Sequence, residues 1–235
     1  QPEKGADLAD DLQRCVDLYG PKSIAACFVE PIAGSTGVLV PPKGYLERLR
    51  QICDRHGILL VFDEVICGFG RTGKAFAFQH EGVLPDAFSL AKALGNGLPI
   101  GALITGPRLA EGFEPGDHGS TFAGGPVPCS AALAVLDVID DPAFLGHVRE
   151  MGAVLRASVT DLPGVVAVRG RGLMIGFDLD PGLGETAPEL VLRALREQRL
   201  VLNATGPATV RILPPLTITP DEVDEAVGRL RAMLT

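Results

Sequence analysis

The spacing of hydrophobic residues divides the chain into short helices and strands. Apolar residues spaced for one helical face predict helices over 6–19, 45–56, 128–139, 144–160, 188–198 and 220–234. Apolar runs of strand length predict strands over 24–29, 58–62, 87–91, 101–105, 165–169, 173–178, 200–203 and 210–213. Because strands alternate with helices in the first half, the pattern predicts an α/β architecture with a mostly parallel sheet.

Two of these strands end in groups that carry chemistry. The run 58–62 ends at Asp63, and the run 87–91 ends at Lys92, which a segment rich in glycine follows. An apolar run without alternation is typical of a strand covered on both faces, as in parallel sheets. Ligands of such sheets bind at the carboxyl ends of the strands. We therefore expect Asp63 and Lys92 to face the same crevice.

The pattern changes near residue 141. Before it, the elements alternate as in an α/β domain, whereas helices bracket several short strands after it. We predict part of a larger α/β domain over 1–140 and a smaller α+β domain over 141–235.

Composition excludes several classes of function. A net charge of −8 and a pI near 5.0 argue against nucleic acid or an anionic membrane as a partner. The first residues are polar and lack a signal segment, and no apolar run is long enough to span a bilayer. The five cysteines are odd in number and lack metal-ligand spacing, which favours a reducing cytoplasm and predicts no metal site.

The glycines of 68–73 match the pattern G-x-G-x-x-G, which predicts a nicotinamide-binding oxidoreductase as one hypothesis. In that motif the glycines join a strand directly to a helix that holds the pyrophosphate. Here five residues separate the strand from Gly68, and no helix start follows Gly73. The hypothesis depends on Gly68, Gly70 and Gly73 alone.

Lys92 and Asp63 suit a different cofactor. Burial at a strand end disfavours a charged lysine and makes its amine nucleophilic, as a Schiff-base lysine requires. A carboxylate in the same crevice keeps the pyridine nitrogen of pyridoxal phosphate protonated. A structural ion pair between Lys92 and Asp63 is the alternative interpretation.

Several motifs together resemble the class III pyridoxal-phosphate aminotransferases. They are 30–32 (EPI), 61–65 (VFDEV), 68–73 (GFGRTG), 90–92 (LAK) and 119–122 (GSTF). The resemblance covers the chain in order and keeps the family's separation of 92 − 63 = 29 between Asp63 and Lys92. It implies fold type I, a homodimer, pyridoxal 5'-phosphate as cofactor, and transfer of an amino group from a small-molecule donor to a 2-oxo acid.

The resemblance also implies roles for single residues. Lys92 matches the Schiff-base lysine, Asp63 the partner of the pyridine nitrogen, and Val65 the residue that packs on the cofactor ring. Ser120 and Thr121 match a loop that reaches the cofactor phosphate of the neighbouring subunit.

Substrate residues are only partly defined by the resemblance. Arg211 matches an arginine that binds a substrate carboxylate in several of these enzymes, and its alternative is a structural salt bridge. Where several relatives carry a glutamate that pairs with this arginine, the chain has Ser35. The donor therefore stays open between an acetylornithine-like compound and another ω-amino acid or amine.

Family members have a longer N-terminal portion, so we expect a fragment or a truncated relative. A catalytically impaired chain that serves only as a partner subunit is one alternative. An isomerase or decarboxylase of the same fold is another, since Lys92 and Asp63 serve those reactions equally.

Overall fold

The computed structural model describes residues 4–234, which form two compact units. The first unit comprises 4–31, 41–69 and 76–140, and the second comprises 32–40, 70–75 and 141–234. Two short segments from the first half thus belong by their contacts to the second unit. The division into independent domains at 1–140 and 141–235 stays a prediction. No helix within residues 4–234 has the length and apolar character needed to cross a membrane.

The first unit is built on a four-stranded sheet. Strands β1, β2 and β3 are parallel neighbours, and β4 adds to β3 in the antiparallel direction. The predicted mostly parallel sheet is therefore confirmed, with β4 as its one antiparallel strand among the described residues. The elements are α1 (Gly5–Tyr19), β1 (Ala26–Val29), α2 (Tyr45–His56), β2 (Leu59–Asp63), β3 (Ala87–Leu90), β4 (Ala102–Thr105) and α3 (Pro126–Ile139).

Helices α1 and α2 pack a shared core against one face of this sheet. Helix α2 buries Leu49 and Ile52, and it ends at Gly57, whose φ of 72° provides the left-handed cap. Leu60 and Phe62 of β2 complete the core.

The sequence predicted strands buried on both faces of the sheet. This is confirmed for β2 but is wrong for β1. Val61 faces away from the core of Leu60 and Phe62 and is nevertheless only 5% exposed. Phe28 of β1, which pairs with Val61, is 73% exposed. The outer strand therefore presents apolar surface.

A buried carboxylate fixes the chain immediately after β2. Glu64 is fully buried, and its Oε2 accepts hydrogen bonds from the amide of Ala77 at 3.0 Å and the thiol of Cys67 at 3.2 Å. Its Oε1 accepts from the amide of Phe78 at 2.8 Å. Burial raises the pKa of Glu64, although these donors oppose that effect. The side chain thus ties the end of β2 to the start of the short 3-10 turn Ala77–His80.

The glycine pattern 68–73 forms a turn instead of the start of a helix. Gly70 and Gly73 adopt φ of 81° and 83°, and the amide of Gly73 donates to the carbonyl of Gly70 at 2.8 Å. The next regular element is the 3-10 turn Ala77–His80, so the strand–glycine–helix geometry that holds a pyrophosphate is not formed here.

The second unit has its own core and an antiparallel sheet. The strand order is β5-β6-β8-β7, and three helices pack with this sheet around Leu155, Phe177, Leu190 and Leu230. The elements are α4 (Pro142–Thr160), β5 (Val165–Arg171), β6 (Met174–Leu179), α5 (Ala187–Gln198), β7 (Asn203–Ala204), β8 (Thr209–Ile212) and α6 (Pro220–Leu234).

The strand predicted over 200–203 is mostly wrong. Arg199 adopts a left-handed φ of 50° as the cap of α5, and the amide of Leu200 still donates to Ala194 at 3.1 Å. The chain is therefore still leaving the helix, and the strand begins only at Asn203.

Two arginines attach the early segments to the second unit. Arg71 donates to the carbonyl oxygens of Leu173 at 3.1 Å and Pro214 at 2.6 Å, and burial lowers the pKa of Arg71 to about 10. Arg169 donates to the carbonyl of Gly37 at 2.6 Å and forms an ion pair with Asp178 at 2.6 Å. Arg71 therefore orders its loop.

Replacing Glu64 with Ala is expected to destabilise the first unit by roughly 2–4 kcal/mol, because two buried amides lose their acceptor and a cavity remains. Chemical denaturation measures the free energy of unfolding. Glu111, an exposed loop carboxylate, provides the control, and Glu111→Ala should stay within about 0.5 kcal/mol of the parent. Equal effects of the two changes would contradict the anchoring role of Glu64.

Two helical glycines make a matched pair in the second unit. A Cβ on Gly152 of α4 would lie 2.2 Å from the carbonyl oxygen of Gly172, so Gly152→Ala should destabilise by roughly 1–3 kcal/mol. A Cβ on Gly228 of α6 meets nothing within 4 Å, so Gly228→Ala should stabilise by about 0.5–1 kcal/mol. Thermal unfolding of both variants checks the opposite signs.

Candidate active site

Asp63 and Lys92 follow neighbouring parallel strands at the same edge of the sheet. Asp63 is the last residue of β2 and pairs in register with Ser89 of β3. The amide of Glu64 donates to the carbonyl of Ser89 at 3.1 Å, which fixes the two strand ends together. Lys92 lies just beyond the end of β3 at Leu90. The topology thus brings the two predicted groups to one edge.

The carboxylate of Asp63 is oriented by the backbone that follows it. Its Oδ1 accepts the amide N–H of Val65 at 2.9 Å, and the side chains of both residues are half-buried. Within residues 4–234, its Oδ2 accepts no hydrogen bond and joins no ion pair. A carboxylate held in this way can accept a hydrogen bond from a protonated ring nitrogen. Asp63 therefore fits the nitrogen end of a pyridine cofactor.

Lys92 has an uncommon backbone conformation. Its φ is 45°, in the left-handed region that few residues other than glycine adopt. The amides of Gly95 and Asn96 both donate to its carbonyl at 3.2 Å, so the tight turn that follows holds this conformation. Strained positions of this kind cluster at functional sites.

The side chain of Lys92 departs from the sequence expectation in one respect. It is exposed, so the burial invoked to activate its amine is wrong for this structure. No ion pair joins Lys92 to Asp63 within the part of the chain described, and the alternative of a structural pair is not realised. The amine is therefore accessible to a cofactor aldehyde.

The other predicted residues of the first unit form no hydrogen bond with Asp63 or Lys92 among the described residues. Ser120 and Thr121 are exposed on the loop that precedes α3, and neither hydroxyl bonds to Asp63 or Lys92. Glu30 is half-buried directly after β1, which is parallel to β2, so it shares the edge with Asp63.

Arg211 belongs to the second unit and lies on β8. Its Nη1 donates to the carbonyl of Gly34 at 3.0 Å, whereas its buried Nε has no partner among residues 4–234. It lines a mostly apolar cavity of about 450 Å³, together with residues that include Leu155, Leu202 and Leu230. Ser35, next to Gly34, is exposed and brings no carboxylate to Arg211. The predicted alternative of a salt bridge is not formed within the described residues.

The role of Glu64 was not predicted from the sequence, where chemistry was assigned only to its neighbour Asp63. A second carboxylate directly after a strand buried on both faces was the available signal, because burial requires such a group to find donors. Within residues 4–234, no cluster of three or more His, Cys, Asp or Glu side chains is placed to hold a metal ion.

The chain is similar to curated proteins over most of its length. The chain is 46% identical to the acetylornithine aminotransferase of Corynebacterium efficiens, a match that covers 91% of this chain and 52% of the relative. It is 43% identical to the omega-aminotransferase of Caulobacter vibrioides, with 100% of this chain and 56% of the relative covered. The chain thus spans about half the length of the curated relatives it matches.

The fold agrees with solved transaminases. An amine transaminase from an uncultivated Pseudomonas species, in its PLP-bound (internal aldimine) form, matches with a TM-score of 0.89 at 36% identity. That match covers 100% of this chain and 57% of the solved one, and it confirms the predicted α/β fold of type I. The family model for class III aminotransferases matches residues 3–234. This chain therefore belongs to the class III aminotransferases, a family of enzymes that depend on pyridoxal phosphate.

Proposed function

We propose that the protein to which this chain belongs is a pyridoxal-phosphate transaminase, which moves an amino group from a donor to a 2-oxo acid. The observation that carries the proposal is the placement of Asp63 and Lys92 after adjacent parallel strands. The carboxylate of Asp63 is oriented by the amide of Val65, and the amine of Lys92 is exposed. The names of the relatives support transamination as the reaction.

Each residue of the site has a distinct task in this proposal. Bound pyridoxal phosphate supplies an electron sink for the carbon that carries the substrate's amino group. Asp63 would hold the protonated ring nitrogen through its Oδ2, which accepts no hydrogen bond within residues 4–234, while Val65 would keep the carboxylate in place and pack on the ring. Lys92 would hold the cofactor through Nζ and would carry a proton to and from the substrate carbon.

Arg211 is proposed to bind a carboxylate of the substrate. A guanidinium offers donors in a fork that matches a carboxylate, and Arg211 has a buried Nε without a partner within residues 4–234. Its Nη1 bonds to a neutral carbonyl, and Ser35 supplies no competing charge. We therefore propose an ω-amino acid donor, of which acetylornithine-like compounds are one class.

A homodimer and a reducing compartment complete the proposal. Ser120 and Thr121 would donate to the cofactor phosphate of a second copy, and their exposure is compatible with that role. Nearby apolar side chains support association, since Phe122 is 90% and Val127 69% exposed. All five cysteines are free thiols, which supports a cytoplasmic location.

The first test is covalent capture of the cofactor. The purified chain is incubated with pyridoxal phosphate, reduced with borohydride and digested for peptide mass spectrometry. We expect a pyridoxyl group on Lys92, and its loss in Lys92→Ala, because Lys92 and Asp63 follow neighbouring strands at the same edge of the sheet. Lys74, an exposed loop lysine, gives the control Lys74→Ala, which should keep the modification.

Two results would count against the assignment. The first is an adduct of equal yield in Lys92→Ala. The second is modification spread over surface lysines while circular dichroism shows the wild-type chain folded.

A second test concerns Arg211 in the holoenzyme. Arg211→Gln should raise KM for a donor with a carboxylate by roughly 10–100-fold, since a charge-assisted hydrogen bond is lost. A simple amine donor should show little change in KM. Arg196→Gln, at an exposed position on α5, is the matched control. An equal rise in KM for both donors would contradict carboxylate binding by Arg211.

A further inference from the structure

The turn that follows Lys92 carries an Asn-Gly pair at its centre. The amide of Leu98 donates to the carbonyl of Gly95 at 3.0 Å, which closes a turn with Asn96 and Gly97 at its two central positions. Their φ angles are 45° and 110°. Positive φ at both positions is what a type I′ turn requires, and Asn-Gly is the pair that such turns favour. The turn conformation therefore accounts for these two residue types.

Both residues are open to the solvent. Asn96 and Gly97 are exposed, and a Cβ added at Gly97 would meet no atom within 4 Å. Within residues 4–234, the amide of Gly97 donates no hydrogen bond, and the side-chain amide of Asn96 forms none either. The backbone nitrogen of Gly97 is therefore neither shielded by a side chain nor held by an acceptor.

We propose that Asn96 is a modification site, at which the folded chain converts its own asparagine into aspartate and isoaspartate. The backbone nitrogen of Gly97 loses its proton and attacks Cγ of Asn96, the bond from Cγ to Nδ2 breaks, and ammonia leaves. The cyclic imide that results takes up one water. Opening at Cγ gives aspartate, and opening at the backbone carbonyl gives isoaspartate. No atom is oxidised or reduced, and water is the only co-reactant.

A second asparagine in the chain lacks these features. Asn203 is exposed on β7, where it pairs in register with Arg211, and Ala204 follows it. The methyl group of Ala204 crowds the nitrogen that would have to attack, and the strand pairing holds the backbone extended. Because the sequence contains no asparagine besides Asn96 and Asn203, the two give an internal comparison.

Conversion of Asn96 would change the support of Lys92. The amide of Asn96 donates to the carbonyl of Lys92 at 3.2 Å, so Asn96 belongs to the turn that holds φ of Lys92 at 45°. Isoaspartate adds one methylene to the main chain before Gly97, so the amide of Leu98 no longer meets the carbonyl of Gly95 in the same geometry. Either product adds a negative charge to the turn. This consequence rests on the proposed function, whereas the modification itself does not.

The first experiment ages the full wild-type chain at mildly alkaline pH in water enriched in the heavy oxygen isotope ¹⁸O. Peptides are then prepared at acidic pH in ordinary water for mass spectrometry. We expect the peptide with Asn96 to become heavier by about 3 Da and to separate into two chromatographic forms, while the peptide with Asn203 keeps its mass. Conversion during digestion adds only about 1 Da, so the label identifies what happened in the folded chain.

Two results would overturn the proposal. The first is conversion of Asn203 to the same extent as Asn96. The second is an Asn96 peptide that gains mass only when the chain is aged unfolded in urea, because the native turn would then protect the site. The wild-type protein suffices for both comparisons, so neither depends on the folding of a variant.

Asn96→Ser and Asn203→Ser form a matched pair of variants. Ageing of the wild type and of Asn203→Ser should produce a more acidic species on ion exchange, because a neutral amide becomes a carboxylate. Asn96→Ser should not produce this species. An acidic species of equal yield in Asn96→Ser would assign the change to another residue and contradict the proposal.

Cofactor capture measures the consequence for Lys92. Borohydride reduction with pyridoxal phosphate is compared for fresh and aged chains, and we expect a loss of pyridoxyl yield on Lys92 in the aged wild type but not in aged Asn96→Ser. Failure of capture in the fresh chain would count against the proposed function alone. Full capture by a converted chain would contradict the effect of Asn96 on Lys92.

Discussion

The buried carboxylate of Glu64 is the interaction on which the candidate site depends. A charge removed from water is tolerated only with full hydrogen bonding, and Glu64 obtains it from two backbone amides and a thiol. Those bonds fix the course of the backbone immediately after β2. Asp63, one residue earlier, consequently ends the strand with its own carboxylate bonded to Val65. The orientation of the chemical group follows from the burial of its neighbour.

Lys92, in contrast to Glu64, is positioned by its backbone and not by hydrogen bonds of a buried side chain. Its side chain is exposed, and its position depends on a left-handed backbone within a tight turn. Asp63 is thus fixed by hydrogen bonds, whereas the amine of Lys92 keeps the freedom of a long side chain. A covalent tether to a cofactor needs such reach, and a ring-nitrogen partner needs a fixed direction. The fixed carboxylate of Asp63 thus suits the proposed bond to the ring nitrogen, and the mobile amine of Lys92 suits the proposed covalent tether.

Glycines and half-buried arginines bring distant segments together in the second unit. Gly152 and Gly172 allow α4 and the hairpin between β5 and β6 to approach at backbone distance. Arg71 and Arg169 then bond to carbonyl groups that no strand satisfies. Arg71 forms no ion pair among the described residues, and its partial burial lowers its pKa. Order in this unit therefore depends on bonds to backbone carbonyls as well as on its apolar core.

The sequence by itself determined the elements with strong local signals. Helix α2 matches its prediction because an apolar face and the cap at Gly57 act within a few residues. Motif order also predicted Asp63 and Lys92 as the residues of the site, and tertiary structure places them after neighbouring strands. Tertiary structure alone decided the antiparallel β4, the shortened β7, the exposure of Lys92 and the anchoring by Glu64. These features join residues far apart in the chain, where no local spacing records which groups will meet.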